Sequence, residues 1–478
     1  MTARLTALDA SFLYLEEPST AMHVGSVMVF QPPNDGFDHD RLVSLVARRI
    51  AYVPRLRQRV RNVPGHLATP VWVDDVDFDL AYHVRRSALP RPGTDEQLEE
   101  LVARVQSRPL DRDRPLWEVY LVEGLAEDRF AIITKSHQAL VDGVNAIDLA
   151  QVMVDGDAAS SNTEPPVTDT WRPARPPSDL ELLTGALVDV VRRPSHLADN
   201  LRGGLADVRA TGARVLESVG HLASAVARTA ARPAPHSPLN ATIGEARRFV
   251  MVGTDLEDYR KVRTTLARGR HTDDATINDI VLATITGALR SWLMTRGEAV
   301  QSGSTLRAMV PVSVHDPDEA SIAVGTRVTA CFVDLPVGEP RAAMRLHQIA
   351  YAMRQQMEGG HAVGAESLAS IAGFAPPTLH SLGARLGSAV SRRLFNLVIT
   401  NVPGPQIPLY AADALMLAAF PVIPLARGQA LAVGVTSYDG GVYFGLNADR
   451  DAMPDVDLLG QCLLDALAEL RDAHGVGR

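Results

Sequence analysis

The sequence predicts a mixed α/β protein whose two halves are joined by a proline-rich and helical linker. Its 478 residues exceed the size of a typical single domain, which favours two domains with connecting material. Short strand-like and helix-like segments alternate near both ends of the chain, whereas the composition between them shifts to proline and serine and then to a helical spacing of apolar residues. We therefore expect domains at residues 1–155 and 246–478, with the linker at 156–245.

The first half alternates strands and helices that are recognisable from their apolar spacing. β-Branched and apolar residues from Met22 to Pro33 indicate a strand that stops at two prolines. A helical spacing begins at Asp40, and Pro54 marks its end or a kink. Further strands are expected at Trp117–Val122 and in "RFAIITKSH", before a helix in "AIDLAQVMV". The last of these strands therefore delivers the segment "HQALVDG" into the turn before that helix.

The linker begins with "DAASSNTEPPVTDTWRPARPPSD", a proline- and serine-rich stretch. Beyond it, apolar residues recur at spacings of three, four or seven between Leu197 and Val226, which predicts helices. A second proline break closes the linker near Pro238. We interpret these helices as a brace between the two halves. A surface that rests on lipid is the alternative, which their mixed-charge polar face disfavours.

The second half repeats the alternation of the first. A strand is expected in "RRFVMVGTDL", and a strong helix follows in "TINDIVLATITGALRSWLM", with Thr276 or Asn278 as its cap. The segments "LRAMVPVSVH", "TRVTACFVDLPV" and "NLVITNVPGP" have strand patterns, and the last runs into a turn. "GQALAVGVTSYDGGVYFGLNAD" predicts a hairpin that turns at Asp439-Gly440-Gly441, and an amphipathic helix closes the chain.

Bulk composition argues against several classes of function. The net charge of −9 disfavours nucleic acid as a partner. Because neither a signal segment nor an apolar stretch of about 18–20 residues is visible, we expect a cytoplasmic protein. Peripheral association with the inner face of the membrane or with a lipid droplet is the alternative. Cys331 and Cys462 lie far apart in apolar stretches, so we expect two buried thiols rather than a disulfide framework or a metal site.

The segment "RFAIITKSHQALVDGVNAIDLAQVM" is the best candidate for chemistry. It places His137 at the end of a strand and Asp142-Gly143 in a turn before a helix. Neutral imidazole is the usual proton acceptor near pH 7. The aspartate can fold back to fix the loop, and the glycine lets the chain turn where a side chain would clash. Catalysis is one interpretation of His137, and a satisfied structural histidine is the other.

Several segments taken together resemble one family. The loop resembles the HHxxxDG motif of CoA-dependent acyltransferases, and its surroundings resemble the bacterial wax ester synthase/diacylglycerol acyltransferase family of actinobacteria. The similar segments are "LTALDASFLYLEEPSTAMHVGSVMVFQPP", "RPLDRDRPLWEVYLVEGL", "TINDIVLA", "LRAMVPVSV", "NLVITNVPGP" and "PLARGQALAVGVTSYDGGVYFGLNAD". The resemblance implies two chloramphenicol-acetyltransferase-like domains, with mixed sheets flanked by helices and the active site in a channel between them.

The resemblance also implies the reaction. Acyl-CoA would be the co-substrate and the donor, and diacylglycerol or a long-chain alcohol would be the acceptor. The acceptor hydroxyl would attack the thioester directly, with no cofactor, no metal and no covalent enzyme intermediate. The channel would be lined by apolar side chains, as a long acyl tail requires.

The sequence departs from the family motif at the position of the general base. In the motif the second histidine, four residues before the aspartate, is the base, and this position is Gln138 here. A carboxamide does not titrate in the useful range, although it can hold a hydroxyl or a water by hydrogen bonding. His137 could replace the base only if a local turn relaxes strand geometry, in which adjacent residues point to opposite faces. We interpret Asp142 as a structural anchor of the loop, with Gly143 completing the motif.

Three further residues are candidates for substrate binding. Asn278 and Asp279 could reach the channel, and a helix cap is the equally weighted alternative. Asn401, in the loop after a predicted strand, could contact the donor.

The leading hypothesis is therefore an acyl-CoA-dependent O-acyltransferase of neutral-lipid synthesis. A second hypothesis, motivated by Gln138, is an impaired paralogue that binds lipid or acyl-CoA without turnover. A third interpretation is that Gln138 is a substitution of the natural residue, because a single base change converts a histidine codon into a glutamine codon. Comparison with the genomic sequence tests that interpretation.

Overall fold

Two mixed β-sheets, each covered by helices, organise the residues that the computed structural model describes, namely 3–66, 68–141, 149–156, 171–192, 233–268, 275–314, 327–358, 363–364 and 394–475. The helices are α1 (Ala7–Leu15), α2 (His39–Ile50), α3 (Leu80–His83), α4 (Asp95–Ser107), α5 (Gln138–Val141), α6 (Leu149–Val152), α7 (Asp179–Arg192), α8 (Leu256–Arg268), α9 (Ile277–Thr295), α10 (Ala342–Glu358) and α11 (Val456–Ala473). The strands are β1 (His23–Gln31), β2 (Gln58–Arg61), β3 (Val71–Asp74), β4 (Val84–Ala88), β5 (Trp117–Glu123), β6 (Phe130–His137), β7 (Arg247–Asp255), β8 (Leu306–Val314), β9 (Arg327–Leu335), β10 (Val363–Gly364), β11 (Leu397–Pro403), β12 (Tyr410–Ala411), β13 (Ala414–Val422), β14 (Leu431–Tyr438) and β15 (Gly441–Asp449).

The first sheet has the strand order β12-β13-β1-β6-β5-β4. Its central strand β1 pairs antiparallel with β6 on one side and with β13 on the other. Four of these strands come from the first half of the chain, whereas β12 and β13 come from residues 410–422 near its other end. The sheet thus draws on two of the three predicted regions, and the boundaries at 155 and 246 stay a prediction.

The middle of the first sheet is buried on both faces. There, successive side chains of β1 and β6 are apolar and point to opposite faces of the sheet. Val27 and Val29 of β1 pack on one face, whereas Met28 and Phe30 pack on the other. β-Branched residues suit this pleated, fully covered environment. The register places His23 opposite His137, so the end of β6 that begins the motif is fixed by a cross-strand partner.

The second sheet has the order β10-β9-β8-β11-β14-β15-β7. Strands β8, β11 and β14 run parallel to one another, and the remaining pairs are antiparallel. β14 and β15 form the predicted hairpin, with Asp439 and Gly440 in the turn at φ 40° and 83°. Positive φ at both central residues is the geometry that a two-residue hairpin requires.

Helix α4 lies where the two sheets approach each other. Its apolar residues Leu98, Leu101 and Val102 share one core cluster with β1 of the first sheet and with Phe249 of β7, the edge strand of the second. Glu99 on the same helix accepts a hydrogen bond from the Met251 N–H at 2.6 Å. The two halves are therefore joined by a common apolar core and by a side chain that satisfies the edge of a strand.

Most local predictions are confirmed. The helix predicted from Asp40 ends at Ile50, and a 3-10 turn follows at Pro54–Arg57, because proline cannot continue the hydrogen-bond ladder. Cys331 and Cys462 are free and buried, as expected. The helices predicted between Leu197 and Val226 lie outside the described residues. Within the described part of the chain, no helix has the length and apolarity needed to cross a membrane.

Candidate active site

The start of the motif is the junction between β6 and α5. β6 ends at His137 and α5 begins at Gln138. The His137 N–H donates to the Leu116 carbonyl at 2.9 Å, and the Gln138 N–H donates to the Met22 carbonyl at 2.8 Å. Consecutive amides thus bond to the chain on opposite sides of β6, as sheet geometry requires. The backbone that carries position 138 is held by two separate segments.

The His137 imidazole is sealed beneath this junction, with 1% of the residue exposed. The Ala139 N–H donates to its Nδ1 at 3.0 Å. Because this bond uses the Nδ1 lone pair, the hydrogen of the neutral ring lies on Nε2. A neutral His137 in this geometry has no lone pair for the proton of an acceptor hydroxyl. Its role as a replacement base stays a hypothesis, which the bond from Ala139 disfavours.

Glu16 faces the other nitrogen of that ring. Its Oε2 lies 3.7 Å from His137 Nε2, and its Oε1 lies 3.4 Å from His23 Nε2. Arg112 Nε donates to Oε2 at 3.0 Å, and the side chain of Glu16 is 11% exposed. Burial opposes ionisation, but the contacts with His137, His23 and Arg112 outweigh it, so the pKa of Glu16 lies well below its usual range. Glu16 is an anion enclosed by two imidazoles and a guanidinium.

His23 completes this cluster as the cross-strand partner of His137. The two ring centroids are 6.3 Å apart, with the planes at 73°. His23 Nε2 also lies 3.4 Å from the Leu110 amide nitrogen, which donates to it. Burial lowers the pKa of His23, and the nearby Lys135 cation lowers it further. The contact with Glu16 opposes this shift, and Arg112 is the guanidinium cation that pairs with Glu16.

Lys135 is a second buried charge, two residues before His137 on the same face of β6. Its ammonium donates to the carbonyl of Val105 at 2.9 Å and to that of Arg108, at the C-terminal end of α4. The carboxylate of Glu118 lies 4.0 Å away. Burial lowers the pKa of Lys135 to about 8. A cation at a helix C-terminus meets the negative end of the helix dipole, so Lys135 fixes α4 against the motif strand.

The structure describes only part of the predicted motif. Gln138 is half-buried and opens α5, where its neighbour Ala139 packs in the core of the first sheet. Asp142 and Gly143 lie outside the described residues, so their roles stay predictions. Among the described residues, no group of three or more histidine, cysteine, aspartate or glutamate side chains is arranged to hold a metal ion.

Two of the predicted substrate-binding residues lie together. Asn401 Nδ2 donates to Asn278 Oδ1 at 2.9 Å, joining the end of β11 to the first turn of α9. Both residues are half-buried. The sequence marks both as candidates but does not reveal that they are hydrogen-bonded across 123 residues of chain.

Asp279 has a different environment. Its Oδ2 accepts from the Thr276 N–H at 2.8 Å and from the Thr276 hydroxyl at 2.8 Å, while its own N–H donates to Thr276 Oγ1 at 3.2 Å. These bonds form a capping box, and Thr276 rather than Asn278 is the cap. Asp279 therefore has the helix-cap role that the sequence offers as the alternative, and its contact with substrate stays a prediction.

Sequence reasoning misses Glu16, Arg112 and Lys135. Glu16 follows an apolar helix as one of two adjacent glutamates, which indicates a solvated chain end rather than a buried anion. The sequence does give one indication for Lys135, which lies within the strand "FAIITKSH". A charged residue in such an interior strand needs a buried partner.

Comparison with solved structures defines the class of protein. The wax ester synthase/diacylglycerol acyltransferase from Marinobacter aquaeolei VT8 matches with a TM-score of 0.66 and 28% identity, over 99% of this chain and 100% of that one. The first condensation domain of the calcium-dependent antibiotic synthetase matches with a TM-score of 0.59 and 17% identity, over 98% and 96% of the two chains. This chain thus has the two-sheet fold of wax ester synthases and condensation domains, and the predicted fold class is confirmed.

Sequence comparison then identifies the family. The wax ester synthase/diacylglycerol acyltransferase catalytic domain matches residues 5–281, and the WS/DGAT C-terminal domain matches residues 324–471. The chain belongs to the wax ester synthase/diacylglycerol acyltransferase family, as its resemblance implied.

Mycobacterial proteins are among its relatives. The probable diacylglycerol O-acyltransferase tgs3 of Mycobacterium tuberculosis is 46% identical over 266 residues, which are 55% of this chain and 96% of that protein. The probable diacylglycerol O-acyltransferase tgs1 of the same organism is 33% identical over 468 residues, which are 98% of this chain and 95% of that protein.

Proposed function

We propose that the chain is an acyl-CoA-dependent O-acyltransferase of neutral lipids, with diacylglycerol as acceptor and long-chain alcohols as alternatives. The observation that carries this proposal is that the two family domains cover both halves of the chain, at residues 5–281 and 324–471. A relative described as a probable diacylglycerol O-acyltransferase aligns over 98% of the chain and supports diacylglycerol as the acceptor. Because these acceptors are poorly soluble in water, we expect peripheral contact with a membrane or a lipid droplet.

The reaction joins an alcohol to an acyl group. The acceptor oxygen attacks the thioester carbonyl, a C–O bond forms, the C–S bond breaks, and the thiolate of CoA leaves. In a histidine-dependent enzyme the base takes the hydroxyl proton and returns it to the thiolate. A carboxamide at position 138 can accept a hydrogen bond from the hydroxyl but cannot take its proton, so the proton passes to the thiolate or to water.

The lost base changes the rate more than the binding of substrates. General-base catalysis contributes about 10²–10⁴ in rate, whereas holding the two substrates together contributes separately. The hydrogen-bonded Asn278–Asn401 pair would contact the polar part of the donor. Asp142 and Gly143 would anchor and turn the loop. We therefore expect slow transfer with substrate affinities near those of a histidine-containing relative.

The test is acyl transfer from palmitoyl-CoA to diacylglycerol and to hexadecanol. The wild-type chain is compared with Gln138→His and His137→Ala. We expect slow ester formation by the wild type, a kcat raised by about 10²–10⁴ in Gln138→His, and a reduced but measurable kcat in His137→Ala. Absence of both acyl-CoA binding and ester formation in the wild type and in Gln138→His would contradict the proposal.

A second candidate function is favoured by one observation. The amide at position 138 does not titrate, and the lone pair of its histidine neighbour is used by the Ala139 N–H. The same pocket would then bind acyl-CoA or lipid without turnover. This function predicts that the wild type binds palmitoyl-CoA and makes no ester, while Gln138→His makes it.

A further inference from the structure

We propose that Glu16 is a positioning residue for acyl transfer, which acts through His137 by holding that ring in one tautomer and thereby fixing the turn that carries position 138. This inference rests on the proposed function, because a fixed turn matters only if the site transfers or binds the acyl group.

A chain of contacts links Glu16 to the turn that carries position 138. Glu16 Oε2 faces His137 Nε2 at 3.7 Å, and His137 Nδ1 accepts the Ala139 N–H at 3.0 Å. The ring can accept that N–H only while its own hydrogen is on Nε2. An anion facing Nε2 stabilises the tautomer with that hydrogen, as buried carboxylates beside imidazoles do. The carboxylate of Glu16 therefore determines whether the Ala139 amide keeps its acceptor.

Within the described part of the chain, neither His137 Nε2 nor Glu16 Oε1 has a hydrogen-bond partner, although both atoms are buried. The separation from Nε2 to Glu16 Oε2 is longer than a hydrogen bond, so the contact there is electrostatic. Without Glu16 the Nε2–H group would face no acceptor, and the ring would gain by rotating or by moving its hydrogen to Nδ1. Either change removes the acceptor of the Ala139 amide.

The largely enclosed carboxylate of Glu16 needs a compensating cation. A carboxylate that is 11% exposed loses most of its hydration, which is unfavourable unless partners compensate. The compensating cation is Arg112, which also donates to the Leu13 carbonyl at 2.9 Å and so ties the end of α1 to the loop before β5. A glutamate that only ends α1 would lie in solvent. Its neighbour Glu17 is more exposed than Glu16 and pairs with Arg427 at 2.9 Å. The buried placement of Glu16 points to a task at His137.

The test uses two substitutions of Glu16 and a matched control. Glu16→Gln removes the charge but keeps an acceptor oxygen, whereas Glu16→Leu removes both. Glu17→Gln removes the charge of the adjacent, more exposed glutamate. Each substitution is made in the wild type and in Gln138→His. We measure kcat and KM for palmitoyl-CoA with diacylglycerol as acceptor.

We expect a kcat loss of about 10-fold in Glu16→Gln and about 100-fold in Glu16→Leu, since small displacements of a reacting group cost about that much. The KM for palmitoyl-CoA should change less than about twofold, because the proposal gives Glu16 a contact with His137 rather than with the substrate. Glu17→Gln should leave kcat unchanged. Equal losses in kcat and in the affinity for palmitoyl-CoA would overturn the proposal, because they would indicate general misfolding.

A double substitution separates positioning through His137 from an independent structural role. If Glu16 acts through His137, then Glu16→Gln combined with His137→Ala should be no slower than His137→Ala alone. Multiplied losses would show that the two residues act independently and would overturn the proposal. This comparison is made in Gln138→His, where turnover is highest.

The tautomer of His137 provides a readout that needs no turnover. In ¹⁵N-histidine-labelled protein, we expect His137 to carry its hydrogen on Nε2 in the wild type and to lose that preference in Glu16→Leu. If the wild type and Gln138→His neither bind acyl-CoA nor form ester, the proposed function fails and the tautomer still tests the role of Glu16. A wild-type ring with its hydrogen on Nδ1 would overturn the inference by itself.

Discussion

The two large sheets of the described residues use buried charge differently. In the first sheet, the buried Lys135 and Glu118 and the half-buried Glu16 lie behind the strand that begins the motif, and their partners are spread over separate segments of the chain. In the second sheet, the buried charges join the covering helices and the loops. Arg345 links α10 to Glu469 of α11, and Asp449 accepts from amides of the loop that follows it and also from the Gly244 N–H at 2.7 Å.

The difference indicates which part of the fold holds its side chains in strictly defined positions. Burying a charge is unfavourable unless its partners are placed well, so a charged cluster specifies geometry more strictly than apolar packing does. The charged cluster of the first sheet holds the motif turn. The candidate residues Asn278 and Asn401 of the second sheet are half-buried and depend on one mutual hydrogen bond. We expect substitutions behind the motif in the first sheet to lower kcat. We expect substitutions near Asn278 and Asn401 in the second sheet to be tolerated better.

The largest expected effect tests whether the two sheets need their close approach. A Cβ on Gly445 of β15 would lie 1.9 Å from the Pro421 carbonyl oxygen of β13, so Gly445→Ala must separate the two strands. We expect a loss of about 3 kcal/mol in the free energy of unfolding, measured by urea denaturation. The control is Gly253→Ala in β7, where the added methyl meets only Tyr443 ring atoms at 3.5 Å. Similar losses in the two variants would mean that the approach of β13 is not a constraint.

The second prediction compares buried cations of the two sheets. Lys135→Met removes the cation behind the motif, leaving two carbonyls and Glu118 without it, whereas Arg345→Met removes the cation between α10 and α11. We expect each to reduce the free energy of unfolding by about 2 kcal/mol. Only Lys135→Met should also lower the kcat of Gln138→His, by about tenfold. An equal fall in kcat for Arg345→Met would remove the distinction between the sheets.

The third prediction concerns the cap of α9. Asp279→Ala breaks the capping box with Thr276, and we expect a loss of about 1 kcal/mol in thermal or urea unfolding. If Asp279 is only a cap, the KM for palmitoyl-CoA should stay within about twofold of the wild type. A KM that rises about tenfold would instead support the predicted contact with substrate.

The smallest effect is a pH dependence at the joint between the halves. Burial raises the pKa of Glu99 to about 7, although it accepts from the Met251 N–H. Because the folded pKa lies above the unfolded value near 4.5, stability from Glu99 is present below about pH 4.5 and is lost as pH rises through about 7. Glu99→Gln should therefore gain up to about 1 kcal/mol over the wild type at pH 8 and nothing at pH 5. A constant difference across this range would show that Glu99 does not titrate there.

Local signals in the sequence predict much of the fold. The turn at Asp439-Gly440, the cap at Thr276 and the strand ending at His137 each depend on residues within a few positions, and each is confirmed. The resemblance of several segments supplied the family and the two-sheet class, which no single segment contains.

Contacts between residues that are far apart in the chain cannot be predicted from local signals in the sequence. The hydrogen bond between Asn278 and Asn401 joins residues 123 positions apart, and the contact of Glu16 with His137 crosses the first half of the chain. Neither leaves a periodic or compositional mark, because burial of a polar group depends on what the fold brings beside it. For the same reason, the sequence does not predict that residues 410–422 join the first sheet.

The membership of β13 in the first sheet has a consequence for synthesis on the ribosome. β1 ends at Gln31, but the strand that covers its open edge ends at Val422, which is 391 residues later since 422 − 31 = 391. At roughly 5–20 residues per second, the nascent chain waits about 20–80 s before β1 gains this neighbour. An apolar strand with an unpaired edge promotes aggregation. The first half of the chain should therefore depend on holding chaperones until β13 has been synthesised.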